Sequence, residues 1–303
     1  MNKKGLILVF STAIISGFSV FINKYGVGVA NPYIFVFVKN AIVALALTSA
    51  ILLIKDWKSF KRLTKKQWLL LLVIGLIGGA IPFLLFFKGL SITLAAQGAF
   101  WHKTMFVYVA ILAATFLKEK ISRSFLCGAL LLILGSLLSL KALPTSFGRG
   151  DLMILLATFF WAIENIISKY ALKDMNSKTI AWARMFFGSV FILSFLIATG
   201  QLGLIANLGA KQIGWTLVTS GLLFGYVLTW YSGLKYIPVS LASAILIIGS
   251  PITTLLSLVS GAGISLREIA AATIILVGLT IILASKRISG IIRQRLVQKY
   301  VRA

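Results

Sequence analysis

Runs of about 20 mostly apolar residues, the length that crosses a bilayer as a helix, recur along this chain with short polar breaks between them. Ten such windows are legible, near residues 5–25, 33–54, 68–89, 93–116, 123–141, 151–171, 179–199, 213–234, 239–260 and 268–285. The pattern predicts an all-α polytopic membrane protein of ten transmembrane helices, because a helix satisfies its own backbone inside lipid. Composition agrees: 59% of the 303 residues are hydrophobic and the mean hydropathy is +1.02, whereas soluble domains hold roughly 45–50% apolar residues.

A formal charge of +24 would suggest nucleic acid for a soluble chain, but its placement changes the picture. Counting alternate connections together with both termini, one side of the membrane holds 20 of the 30 Lys and Arg. They include Lys3, Lys4, six residues from Lys55 to Lys66, three from Lys118 to Arg123 and six from Lys286 to Arg302; loops on the other side hold Lys141, Arg149, Lys211 and Arg267. The positive-inside rule then predicts a cell-membrane protein with both termini in the cytoplasm. Anionic lipid, not nucleic acid, is the expected partner of these loops. Cys127 is the one cysteine, so no intramolecular disulfide is possible. The apolar stretch after Lys3 and Lys4 is span-length and lacks a clear cleavage site, so it reads as a first helix rather than a signal peptide.

Ten spans divide into two fives. A polar break of Pro144, Ser146, Gly148, Arg149, Gly150 and Asp151 separates them, giving an expected first repeat over 1–143, a linker at 144–147, a second repeat over 148–287 and a basic tail at 288–303. Sliding the sequence by 145 aligns Gly5 with Gly150, the triplet Asn23 to Tyr25 with Ser168 to Tyr170, Asn31 with Asn176 and Lys39 with Arg184; later, Lys88 to Leu90 meets Ser232 to Leu234, and Gly135 meets Gly278. The third span of each half carries GxxxG (Gly75 with Gly79, Gly221 with Gly225), the spacing that lets helix backbones approach closely. An odd number of spans per repeat inverts the second copy. Two inverted five-helix repeats place a substrate site near the midplane between them in secondary transporters.

On these residues the chain resembles the EamA-type members of the drug/metabolite transporter superfamily, over nearly its whole length. Further marks of the resemblance are Ser16-Gly17 and Trp161-Ala162 in the first helix of each repeat, the "GL" ending the third, and "FLKEKIS" from Phe116 to Ser122. Two departures stand out: Ser16 replaces an aromatic Trp, and "SGAGISLRE" in the second repeat has no Glu matching the first. The resemblance implies a ten-helix carrier exporting or exchanging amino acids, other metabolites or amphipathic toxic compounds; no cofactor is expected. Its cavity would lie among the first, fourth, sixth, eighth and ninth helices.

A charge near the bilayer centre costs at least about 2.5 kcal/mol and usually faces a cavity or a partner. Lys39, His102, Lys103, Glu164 and Arg184 are such charges. Glu164 is the one acid well inside a span, and helical spacing joins it to Thr158, Trp161, Asn165 and Ser168; the same stripe in the first helix reads Ser16, Ser19 and Asn23. In the fourth helix, steps of about 100° place Gln97, Trp101, Thr104, Tyr108 and Thr115 on one side, as a cavity wall, with Lys103 and His102 turned away to either side of it. Lys103 can bend its stem to meet an anion or Glu164, and His102 either relays a proton or packs. Lys39 and Arg184, at equivalent positions, suggest a shared structural task such as capping or snorkelling, and Lys24 and Lys169 read as snorkelling at span ends. The ninth helix offers Ser243, Ser250, Thr254 and Ser257 around Pro251, the eighth Tyr226 and Trp230, and Pro82 is a candidate hinge in the third.

The expected substrate-binding set is therefore Glu164, Lys103, Trp101, Gln97, Thr104, Tyr108, Trp161, Asn165, Ser243, Trp230 and Tyr226, with His102 and Glu164 as coupling candidates and Lys39 and Arg184 as structural charges. The pattern points to a secondary carrier for a small polar metabolite, such as an amino acid or organic anion, working by alternating access. A lipid-linked carrier translocase of the same superfamily is the alternative. A membrane enzyme is the remotest reading, because one His, one Cys and one buried Glu do not assemble a usual zinc site. No GxxxxGK[ST] loop is present to support ATP hydrolysis.

Overall fold

The computed structural model of the chain describes residues 2–26, 31–93, 95–140, 147–261 and 263–301, without the side chains of 24–26, 95–96, 257 and 285–301. Lys24, Lys141, Pro144, Ser146, the Ser257 side chain and the basic side chains from Lys286 onward lie outside this description. Among the described residues ten helices form the bundle. Nine are long and apolar enough to cross a membrane: α1 (Lys3–Gly26), α2 (Pro32–Leu53), α3 (Lys65–Ser91), α4 (Ala95–Lys103 and Met105–Phe116), α6 (Arg149–Ala171), α7 (Ser177–Ala198), α8 (Ala210–Leu234), α9 (Val239–Ile245 continuing through Gly249–Val259) and α10 (Leu266–Val301). The shorter α5 (Arg123–Leu138) completes the set. Leu53, Val259 and Leu266 are 82–85% exposed, an outer surface suited to lipid rather than water.

Helix contacts follow an exchange of the two halves. α1 packs on α8 as α6 packs on α3, α1 on α9 as α6 on α4, and the equivalent pairs α2 with α7, α4 with α9 and α5 with α10 also meet. The aligned glycines explain the close fits. A Cβ on Gly5 would lie 2.6 Å from Tyr236 Cβ, and one on Gly150 would lie 2.9 Å from the Gly89 carbonyl; Gly128 faces Gly278 and Gly135 faces Ala271 in the same reciprocal way.

Prolines interrupt the ladders that matter. Pro82 has no N–H for the carbonyl four residues back, that of Gly78, and the chain widens into a π turn over Gly75–Ala80, with Ile81 N donating to Leu76 O. Such bulges shift the backbone register and leave carbonyls free for other partners. Pro251 follows a turn at Leu246–Ile248 that is tightened rather than widened.

The two GxxxG motifs differ in use. Gly75 and Gly79 press α3 onto α7, with a Gly79 Cβ only 1.9 Å from the Arg184 carbonyl, whereas Gly221 meets nothing within 4 Å and Gly225 meets only the tip of Ile15. The expectation of close backbone packing thus fails for the second motif. The unbroken α8 lacks the wide turn that presses the glycines of α3 against their neighbour.

Candidate functional site

The carbonyls freed in α3 organise a buried polar centre. Gly78 O accepts from Trp161 Nε1 (3.0 Å) and Arg184 Nε (3.2 Å), and Gly79 O accepts from Asn40 Nδ2 (3.1 Å). A Cβ at Gly78 would strike Glu164 Cγ at 2.3 Å, so only glycine lets the carboxylate sit there. Glu164, fully buried, accepts on Oε1 from Ser168 Oγ (2.5 Å) and Tyr231 OH (2.6 Å), while Oε2 lies 3.9 Å from Arg184 Nη1. Arg184 also donates to Tyr231 OH at 3.1 Å. Of the structural tasks expected for Lys39 and Arg184, snorkelling does not occur: they are 3% and 6% exposed, Arg184 within this network and on the Gly78 carbonyl, and Lys39 over the rings of Phe35 and Phe87.

A cavity of ≈ 270 Å³ lies beside this centre, among α1, α3, α4, α5, α8 and α9. It sits towards the ends of α1, α3 and α5 and the start of α4, on the face opposite the loops carrying Lys55 to Lys66 and Lys118 to Arg123. Lys103 projects into it and donates to Ser250 Oγ at 2.6 Å. His102 also borders it, its ring 5.2 Å from those of both Phe86 and Trp161. Hydroxyls of α9 and aromatic rings make up much of the remaining wall, and among the described residues no carboxylate takes part in it.

Of the expected binding set, Lys103, Tyr226 and Ser243 line this cavity together with His102; Glu164, Trp101, Gln97, Thr104, Tyr108, Trp161, Asn165 and Trp230 do not. Glu164 is enclosed by Ser168, Tyr231 and Arg184, so it does not share a pocket with Lys103 as expected. Asn165 is occupied by Trp230 Nε1 at 2.9 Å. The α4 stripe turns to α6 instead: Trp101 donates to Asp151 Oδ1 (3.0 Å) and Tyr108 packs edge-on against Phe159. The stripe thus keeps one face across the break at Thr104, but that face packs on α6, and the flanks that carry His102 and Lys103 border the cavity. Tyr231 and Gly78 carried no sequence signal of their own, although Pro82, four residues past Gly78, marked the free carbonyl. Ser136 and Ser139, also in the wall, follow no readable periodicity.

The face with the basic loops is tied shut. Glu119, between α4 and α5, accepts from Val239 N (2.8 Å), Ser240 N (3.2 Å) and Ser240 Oγ (2.5 Å), capping α9 from the other half. Lys169 does not snorkel; it donates to the carbonyls of Leu234, the last residue of α8, and of Ile237 just beyond it. Glu119→Ala is expected to cost about 1–2 kcal/mol, the scale of a lost helix cap, and Glu119→Gln less, because an amide oxygen still accepts; unfolding midpoints of the purified variants measure both.

Comparison with known proteins adds an independent line. The profile described as the EamA-like transporter family matches residues 3–141 and 148–284. The uncharacterized transporter YyaM of Bacillus subtilis (strain 168) is 26% identical over 284 residues, spanning 86% of this chain and 90% of its own. The riboflavin transporter ImpX of Fusobacterium nucleatum subsp. nucleatum is 27% identical over 207 residues, 62% of this chain and 67% of its own. A solved crystal structure shares the fold at a TM-score of 0.78 and 17% identity, covering 95% of this chain and 99% of that one.

Proposed function

The chain belongs to the EamA-like transporter family, and on that premise we propose that it is a secondary carrier that takes a small anionic or zwitterionic metabolite into the cavity around Lys103. One observation carries this reading: a lysine ammonium reaches into a wall of hydroxyls and aromatic rings that contains no carboxylate among the described residues. A cation so placed attracts a negatively charged group, and the surrounding low dielectric strengthens that attraction. The excess of Lys and Arg in the loops of the opposite face supports a cytoplasmic position for both termini. In that orientation the cavity faces outwards while Glu119 and Lys169 hold the cytoplasmic side closed. Alternating access then consists of releasing those ties and closing the outer side, the inverted halves rocking about the site.

The test is a thermal-shift screen of the purified protein in detergent against amino acids, organic acids, sugar phosphates and nucleotides, repeated with Lys103→Met. Ligands bearing a carboxylate or phosphate are expected to raise the midpoint. A charge-assisted hydrogen bond contributes about 1.5–3 kcal/mol, so Lys103→Met should weaken them roughly 10- to 100-fold. Equal stabilisation of both proteins would remove Lys103 from the site, and stabilisation by cations alone would overturn the substrate class.

A further inference from the structure

The 145-residue repeat sets unlike neighbours around like cations. In the second half, Arg184 lies over the ring of Tyr231 at 5.9 Å and has the Glu164 carboxylate 3.9 Å away. In the first half, Lys39 lies over Phe87 at 5.5 Å, and Phe87 is the sequence counterpart of Tyr231. The framework on the first helix repeats as well: Ser168 Oγ donates to Glu164, and at the matching positions Asn23 Nδ2 donates to Ser19 Oγ at 3.0 Å. What differs is the filling. Ser19 stands where the second half has Glu164, and Ser16 where it has Trp161.

Two consequences follow from these exchanges. Lys39, although 3% exposed, has neither a carboxylate nor a hydrogen-bond acceptor for its ammonium among the described residues. A buried cation without a counter-charge is costly, yet the fold keeps one here. The indole of Trp161 fills its own place beside the rings of Phe83, Phe86 and His102, whereas Ser16 leaves the matching volume to the cavity that it borders. Asn23 borders the same cavity, and its buried Oδ1 has no partner. Phe87 touches both features, lining the cavity and facing the Lys39 ammonium.

We propose that the substrate supplies the two missing groups, and that it is an aryl carboxylate: its ring occupies the space beside Ser16, and its carboxylate passes the edge of Phe87 to pair with Lys39. The ligand then completes in the first half what Trp161, Glu164 and Arg184 form within the second. Lys103 and Lys39 share the bound carboxylate, Lys103 from the cavity side and Lys39 from behind Phe87. This rests on the reading of the cavity as an anion site and narrows it.

The experiment compares phenylacetate with its neutral analogue phenylacetamide, by thermal stabilisation of the full chain at fixed ionic strength, in the wild type, Lys39→Gln and Ser19→Glu. Phenylacetate, and not phenylacetamide, is expected to stabilise the wild type, and Lys39→Gln is expected to weaken it at least 10-fold. Ser19→Glu places a tethered carboxylate where Glu164 stands in the other half. Its ligand-free midpoint should rise above that of the wild type while its response to phenylacetate disappears, a pairing that misfolding does not produce. Wild-type binding by either variant overturns the proposal, as does a Ser19→Glu midpoint at or below the wild-type value. Stabilisation by non-aryl anions without phenylacetate defeats the aryl carboxylate and leaves the anion site standing; no response to any anion defeats both.

Discussion

Arg184→Met is expected to lower the stability of the protein by about 3–5 kcal/mol, the usual loss when one partner of a buried ion pair is removed. Glu164 Oε2 has no hydrogen-bond partner and depends on the guanidinium 3.9 Å away. Without Arg184 its charge is buried with only the Tyr231 and Ser168 hydroxyls against it. Glu164→Gln should cost less, because the amide oxygen still accepts from those hydroxyls while Arg184 keeps the Gly78 carbonyl. The double variant Glu164→Gln, Arg184→Met should be more stable than the sum of the single losses by at least about 1 kcal/mol, as coupled partners are. Unfolding midpoints in one detergent give all three values. A loss below about 1 kcal/mol for Arg184→Met would show that the pair does not hold the centre together.

The second large effect separates two motifs that look alike in sequence. Gly79→Ala is expected to cost about 3 kcal/mol or more, at the upper end of overpacking, because the added Cβ falls 1.9 Å from a backbone oxygen that no side-chain rotation can move. Gly221→Ala meets open space and should stay within about 0.5 kcal/mol, or gain from the better helix propensity of Ala. Equal losses at the two positions would contradict the observed packing of α3 on α7.

Much of the architecture was legible because lipid imposes one rule on every span: apolar runs of sufficient length, broken by polar turns. The aligned pairs Gly5 with Gly150 and Gly135 with Gly278 also had a physical cause, since both members of each pair sit at the crossing of helices related by the two-fold exchange. The interior was harder to read. Glu164 was recognisable as exceptional, but whether it faces a cavity or a partner depends on Tyr231, 67 positions along the chain, and no local pattern encodes that distance. The polar stripe of α4 was legible, but its neighbour was not: Trp101 and Tyr108 face α6, while Lys103 and His102 on the other flanks border the cavity, and helical spacing alone does not say which flank meets which helix. The most telling differences were present in the alignment of the halves all along. Ser16 opposite Trp161 and Ser19 opposite Glu164 mark where one half is filled by its own side chains and the other leaves room.

Exchange across a membrane tests the central claim, that this cavity is the route of transport, most directly. Proteoliposomes loaded with the unlabelled anion that stabilises the protein most in the ligand screen would be diluted into the labelled form, with the wild type and Ser16→Trp compared side by side. Ser16→Trp fills the cavity with the indole that the second half carries, without altering any charge. Transient accumulation of label by the wild type, and none by a folded Ser16→Trp protein, is the predicted result; exchange by Ser16→Trp at the wild-type rate, or no exchange by the wild type, would contradict it.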